Sequence, residues 1–167
     1  MILQAQLEWL YGTDFSVALR ENDGWFAGIE SVHVLAIALV FGSIAVVDLR
    51  LMGLASRERT VDQIAAAVLP VTWVAFAVAV VSGSLLFASN PPGYAHNDFF
   101  LRKMVLILLA GINMGVFHLL LNPGTNRDAK GLSVPRSDRI VGAVSMLLWV
   151  AVIACGRWIG FTMIGGG

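Results

Sequence analysis

The sequence predicts an all-α, polytopic membrane protein: a four-transmembrane-helix bundle preceded by N-terminal amphipathic helices at the membrane interface. Three observations predict it. Of 167 residues, 57% are hydrophobic and only 13% charged, about half the charge of an average soluble domain. Mean hydropathy is +0.78. The charges are also clustered, leaving runs without formal charge of 17 residues between Glu30 and Asp48, 35 between Asp62 and Asp98, 23 between Lys103 and Arg127, and 17 between Arg139 and Arg157. A bilayer core needs about 20 mostly apolar residues per helix. A helix of a soluble bundle would carry a polar face, which these segments lack.

The same arithmetic removes other classes. Eleven Lys and Arg balance eleven Asp and Glu, so no nucleic-acid partner is expected through a basic surface. The apolar content excludes a disordered chain. A single cysteine, Cys155, excludes a disulfide framework and a thiolate metal cluster. No Gly-rich phosphate loop and no nucleophile with an adjacent base is present. Methionines 52, 104, 114, 146 and 163 are scattered and read as core filler.

Residues 1–27 read as an amphipathic interfacial segment. Leu3, Leu7 and Leu10 recur at helical spacing beside Trp9 and Tyr11, and Thr13 or Asp14 can cap a second short helix through Arg20. These helices either lie on the membrane surface or pack across the mouth of the bundle. The stretch lacks the basic start of a cleavable signal peptide, and Gln4, Gln6 and Glu8 interrupt its apolar run. Residues 28–167 form the four-helix transmembrane domain, with spans at 28–51, 62–88, 99–122 and 138–163. Pro70 should kink the second span. Asn90-Pro91-Pro92-Gly93 reads as the turn that ends it. Gly83, Gly142, Ser145, Gly156 and Gly160 read as small residues for close helix packing.

Orientation follows from the bases. Arg50, Arg57 and Arg59 lie in the first loop, and Arg127, Lys130, Arg136 and Arg139 in the third; these are seven of the eleven. Loops one and three are therefore expected to be cytoplasmic. The chain is then a multi-pass protein of the bacterial inner membrane with both termini periplasmic. Arg102 and Lys103, at the outer end of the third span, run against this pattern.

Ionisable groups inside spans are costly and mark candidate sites. Alternating helix direction puts Glu30, His33, Lys103 and Arg157 in an outer layer, and Asp48, Arg50 and His118 in an inner one. Glu30 and His33 are three apart and share a face. His33 to Asp48 and Lys103 to His118 are both 15 residues, so facing helices would bring His33 to Lys103 and Asp48 to His118. A neutral imidazole in such a bundle suits an axial ligand of haem iron. Lys103 or Arg157 could neutralise haem propionates, and Arg157 could equally pair with Glu30 as a structural ion pair. Asp48 could hydrogen-bond a His118 that ligates a second haem or relays protons. His33 and His118 lie too far apart in depth to share one iron. His96 could reach the outer layer, but reads more simply as part of a polar loop.

The stretch Ile29-Glu30-Ser31-Val32-His33, with Gly42 and Asp48-Leu49-Arg50-Leu51, resembles an uncharacterised bacterial family of small four-helix membrane proteins. The resemblance continues through Leu69-Pro70-Val71-Thr72-Trp73, Ser82-Gly83-Ser84-Leu85-Leu86-Phe87-Ala88, Asn97 to Lys103 and Phe117-His118. More distantly, the layout is similar to the CopD copper-resistance proteins and the HemJ-type protoporphyrinogen oxidases. That similarity implies His33 as a haem ligand and Lys103 as its functional companion. The expected function is a protein binding haem b, with metal sites at His33 and His118 and an electron-transfer or oxidoreductase role. Its partners would be membrane lipid, a quinone or a periplasmic redox protein, within a homo-oligomer or larger complex. A non-catalytic membrane anchor and a CopD-like metal permease are the alternatives.

Overall fold

The computed structural model describes residues 2–56, 58–117, 119 and 134–164. Among them there are seven helices and no strand: α1 (Ile2–Tyr11), α2 (Asp14–Glu21), α3 (Asp23–Leu51), α4 (Val61–Ser89), α5 (Pro91–Ala95), α6 (Asp98–Val116) and α7 (Arg136–Ile164). Four of these, α3, α4, α6 and α7, are long and apolar enough to cross a membrane. The all-helical, four-span expectation holds.

Local chemistry sets the boundaries. The Thr13 side chain accepts from the Ser16 amide and starts α2 where the sequence placed it. Asn22 does the same for the Trp25 amide, so α3 begins five residues before the expected span. At 29 residues and 1.5 Å per residue, α3 is about 43 Å long, enough to reach through both headgroup layers. Its first turns thus lie where Asp23 and Glu30 can meet water. A capping box between Thr60 and Gln63 starts α4, which continues as one helix through Pro70. The expected turn after α4 is itself partly helical: the Asn90 side chain caps the single turn of α5 by accepting from the Gly93 amide. Asn97 caps α6. Residues 120–122 of the third expected span lie outside the described residues.

Helix α3 packs on α4 and α7, and α6 packs on α7. Polar side chains register these pairs: Ser43 and Thr72 hydroxyls are 2.7 Å apart between α3 and α4. Between α6 and α7, Asn97 donates to Thr162 at 2.8 Å and Asn113 to the Val141 carbonyl at 3.2 Å. Small or polar residues such as Ala36, Ala75, Ala110, Ser82 and Asp48 are buried, while Leu35, Val74, Leu108 and Leu147 point outward. This inversion suits a bundle whose outer solvent is lipid.

Helices α1, α2 and α5 gather at the end of the bundle where α3 starts and α7 finishes, here called the terminal side. The opposite end is the loop side. The Ser16 hydroxyl donates to the Ala88 carbonyl at 2.6 Å, tying α2 to the end of α4. α1 packs on α5 and α4, so it lies across the bundle mouth while exposing Ile2, Leu3 and Trp9.

Candidate functional site

The central feature is an imidazole held by two helices in the terminal-side half. His33 of α3 meets Ser82 of α4, with Nδ1 and Oγ 2.9 Å apart. The Ser82 hydroxyl proton is already committed, because Oγ lies 2.6 Å from the Val78 carbonyl. Two oxygens that close need a proton between them. Ser82 therefore accepts from the Nδ1–H of His33, and the Ala79 carbonyl also takes part in bonding the ring. A neutral imidazole protonated at Nδ1 keeps a lone pair on Nε2. Gly83 makes room for this ring: a Cβ there would stand 2.9 Å from His33 Cε1.

Across the bundle, Lys103 of α6 lies against Gly156 of α7, its Nζ 3.7 Å from where a Cβ would be. It is close enough to act electrostatically on His33, and it also interacts with Cys155 of α7. Its link to His33 is electrostatic only: α3 packs on α4 and α7, and α6 on α7. Above them, Phe87, Tyr94 and Phe100 form an aromatic trio with centroids 5.6 to 6.1 Å apart. Tyr94 is outside the spans. Its burial, and next the Glu30 carboxylate, raise its phenol above the ordinary range, so it remains a neutral O–H at the mouth of the site. Glu30 itself is exposed.

Arg157 is exposed and its guanidinium lies over the Phe161 ring, 4.7 Å from the centroid. His96 is exposed, with Nδ1 2.8 Å from the Pro92 carbonyl. At the loop side Asp48 is buried, with Ser145 of α7 in hydrogen-bonding contact. Among the described residues its Oδ2 has no hydrogen-bond partner. His118, expected opposite Asp48, lies outside the described residues. Among the described residues, no three or more His, Cys, Asp or Glu side chains gather as a metal-ion site.

Sequence reasoning missed Ser82, Gly83, Tyr94 and Ser145 as partners of the site. One signal could have found the first. Ser43 and Thr72 are the natural polar pair between α3 and α4. Ten residues back along α3 is His33, and ten forward along antiparallel α4 is Ser82.

The sequence profile of DUF6644, a family of unknown function, matches residues 8–162. The chain belongs to this family. No curated protein and no solved structure matches it, and neither comparison supports the likeness to the CopD and HemJ types.

The residues present suit a haem ligand in one respect that can be tested on the geometry. An iron-ligating histidine characteristically donates its other ring N–H to a neighbouring oxygen, which sets the tautomer and the ring orientation. His33 with Ser82 has that arrangement. The two apolar grooves on the α3–α4 surface, of about 530 and 470 Å³, face outward, and His33 lines neither.

Proposed function

We propose that this protein is a multi-pass bacterial inner-membrane protein that binds haem b in its periplasmic half and passes electrons, with His33 as the iron ligand. The observation that carries the reading is the His33–Ser82 bond, in which Ser82 accepts from Nδ1–H and Nε2 keeps its lone pair. A bound haem would supply a one-electron couple at a fixed depth in the bilayer. The chain's own residues do the rest. Ser82 orients the imidazole, and Gly83 holds α3 and α4 close enough for that bond to form. Lys103 supplies a cation in the apolar interior for a propionate. Glu30 and the aromatic trio that includes Tyr94 close the site toward the terminal side, where a quinone headgroup or a periplasmic protein would exchange electrons. The CopD-like and HemJ-like layout, with an early His and a Lys opening a later helix, supports the same roles.

The test is the visible spectrum of protein purified from haem-replete cells. A Soret band is expected, abolished in His33→Ala, with haem affinity lowered about 10- to 100-fold in Ser82→Ala. A colourless wild-type protein, or a full Soret band in His33→Ala, overturns the reading.

One observation favours a second reading, a non-catalytic membrane subunit in which His33 is a packing residue. The ring fills the notch over Gly83 and has already found its hydrogen bonds. On that reading the protein is colourless, and His33→Ala acts on stability alone.

A further inference from the structure

Asp48 has no part in the haem reading, yet it is an acid only 4% exposed within a span. A buried polar atom is normally hydrogen-bonded. Among the described residues, Oδ2 of Asp48 has no such partner. Its polar neighbour is the Ser145 hydroxyl of α7. Gly142 lies three residues before Ser145 on the same face of α7 and marks the same contact. A Cβ there would stand 3.0 Å from the Asp48 carbonyl oxygen and 2.9 Å from Leu51 Cβ. The two helices thus meet backbone to backbone beside the carboxyl, which keeps lipid away from it.

The charged groups nearby are turned elsewhere. Arg50 is two residues on along α3, a spacing that does not share a face, and its Nε donates to the Arg59 carbonyl at 2.6 Å. On α7, Asp138 accepts from the Ser137 hydroxyl at 2.9 Å. Arg139 is exposed and lies beside Gly53, its Nε 3.8 Å from a Cβ position there. On α4, Asp62 is exposed in the first turn. Among the described residues none of these reaches Oδ2.

An ionised carboxylate in this setting would hold its charge out of water against a single hydroxyl. That costs far more than leaving one neutral carbonyl oxygen unbonded. A hard metal ion would need about six oxygens, and the contact offers a carboxyl and a hydroxyl. A proton needs only one acceptor. With Oδ1 protonated, its O–H donates to Ser145 Oγ, and Oδ2 is left as an unbonded carbonyl-type oxygen.

We propose that Asp48 is a proton-binding site in the loop-side half of the bundle, a neutral carboxylic acid that loads and releases its proton through the loop side. Helix α3 ends at Leu51, about 4.5 Å further along the axis, so the aqueous phase beyond the helix end lies within a turn of the acid. Toward the terminal side, buried Val40 and Ala36 separate it from His33. The proposal is independent of haem.

The experiment is infrared difference spectroscopy of the full-length protein in lipid nanodiscs at neutral pH, wild type minus Asp48→Asn. The carboxamide keeps the size and neutrality of the acid, so the variant should unfold at the wild-type temperature. The expected result is a carboxylic-acid C=O stretch present in wild type and missing in the variant. It should lie at the high-frequency end of its range, because Oδ2 accepts no hydrogen bond, and shift downward in D2O as the proton exchanges. Ser145→Ala should move the band without abolishing it. A carboxylate band in place of the acid band overturns the proposal, and so does an acid band that D2O never shifts, which marks a sealed structural group. Loss of the band when sodium chloride replaces choline chloride overturns it in favour of a cation site. Failure of Asp48→Asn to fold overturns it as well, because a neutral acid has there been exchanged for a neutral group of the same shape.

Discussion

The two ends of α3 are seated against glycines of neighbouring helices, but what each glycine faces differs. At the terminal side Gly83 faces the edge of the His33 ring, 2.9 Å from Cε1 to its Cβ position. At the loop side Gly142 faces Leu51 Cβ at 2.9 Å and the Asp48 backbone carbonyl at 3.0 Å. An imidazole can pivot on its χ angles; a Cβ and a carbonyl move only with the helix. The polar groups differ in parallel. His33 has its Nδ1–H satisfied by Ser82, whereas among the described residues Asp48 Oδ2 is buried without a partner. The terminal end is therefore an adjustable side-chain site that presents a lone pair, and the loop end is a rigid helix joint around a buried acid.

Substitutions that add or remove single groups test that contrast. The largest effect is expected at the joint: Gly142→Val should destabilise by about 3 kcal/mol or prevent folding, since overpacking against backbone cannot relax. Denaturant unfolding followed by tryptophan fluorescence measures it, and a loss no larger than that of Gly83→Ala would break the contrast. Gly83→Ala comes next, at about 1–2 kcal/mol, because the His33 ring can yield; it should also disturb the Soret band. Ser82→Ala removes one hydrogen bond to the ring and should lower stability by about 1 kcal/mol. Thr72→Val, which breaks the Ser43 contact far from either end, should lower it by about 0.6 kcal/mol, in the range of polar links within membranes. Smallest and opposite in sign is Gly111→Ala. Nothing lies within 4 Å of a Cβ there, so the variant should be unchanged or more stable by up to about 1 kcal/mol.

How far the site was legible follows from the same residues. His33 and Lys103 stood out because a charge in a span is rare and helix direction assigns its depth. The start of α3 did not, because a helix long enough to leave the hydrocarbon tolerates Asp23 and Glu30, and the transition from Asn22 carries no hydropathy signal. Gly83 looked like an ordinary small packing residue, and Ser82 beside it carried no signal of its own. Only the antiparallel register of α3 and α4 makes one of them a hydrogen-bond acceptor and the other a seat for the ring. Arg157 sat on the right level in sequence, yet depth says nothing about direction, and the helix rotation turns it outward over Phe161.

Composition and charge spacing alone thus determined the four apolar helices, their order and the layering of ionisable groups, because burial in lipid is a one-dimensional constraint written along the chain. The facing of helices was decided only in three dimensions. Which imidazole nitrogen keeps its lone pair, which lysine turns inward and which arginines point outward depend on rotations and close approaches between helices. Those are set by glycine contacts and single hydrogen bonds between distant residues, and no local pattern in the sequence encodes them.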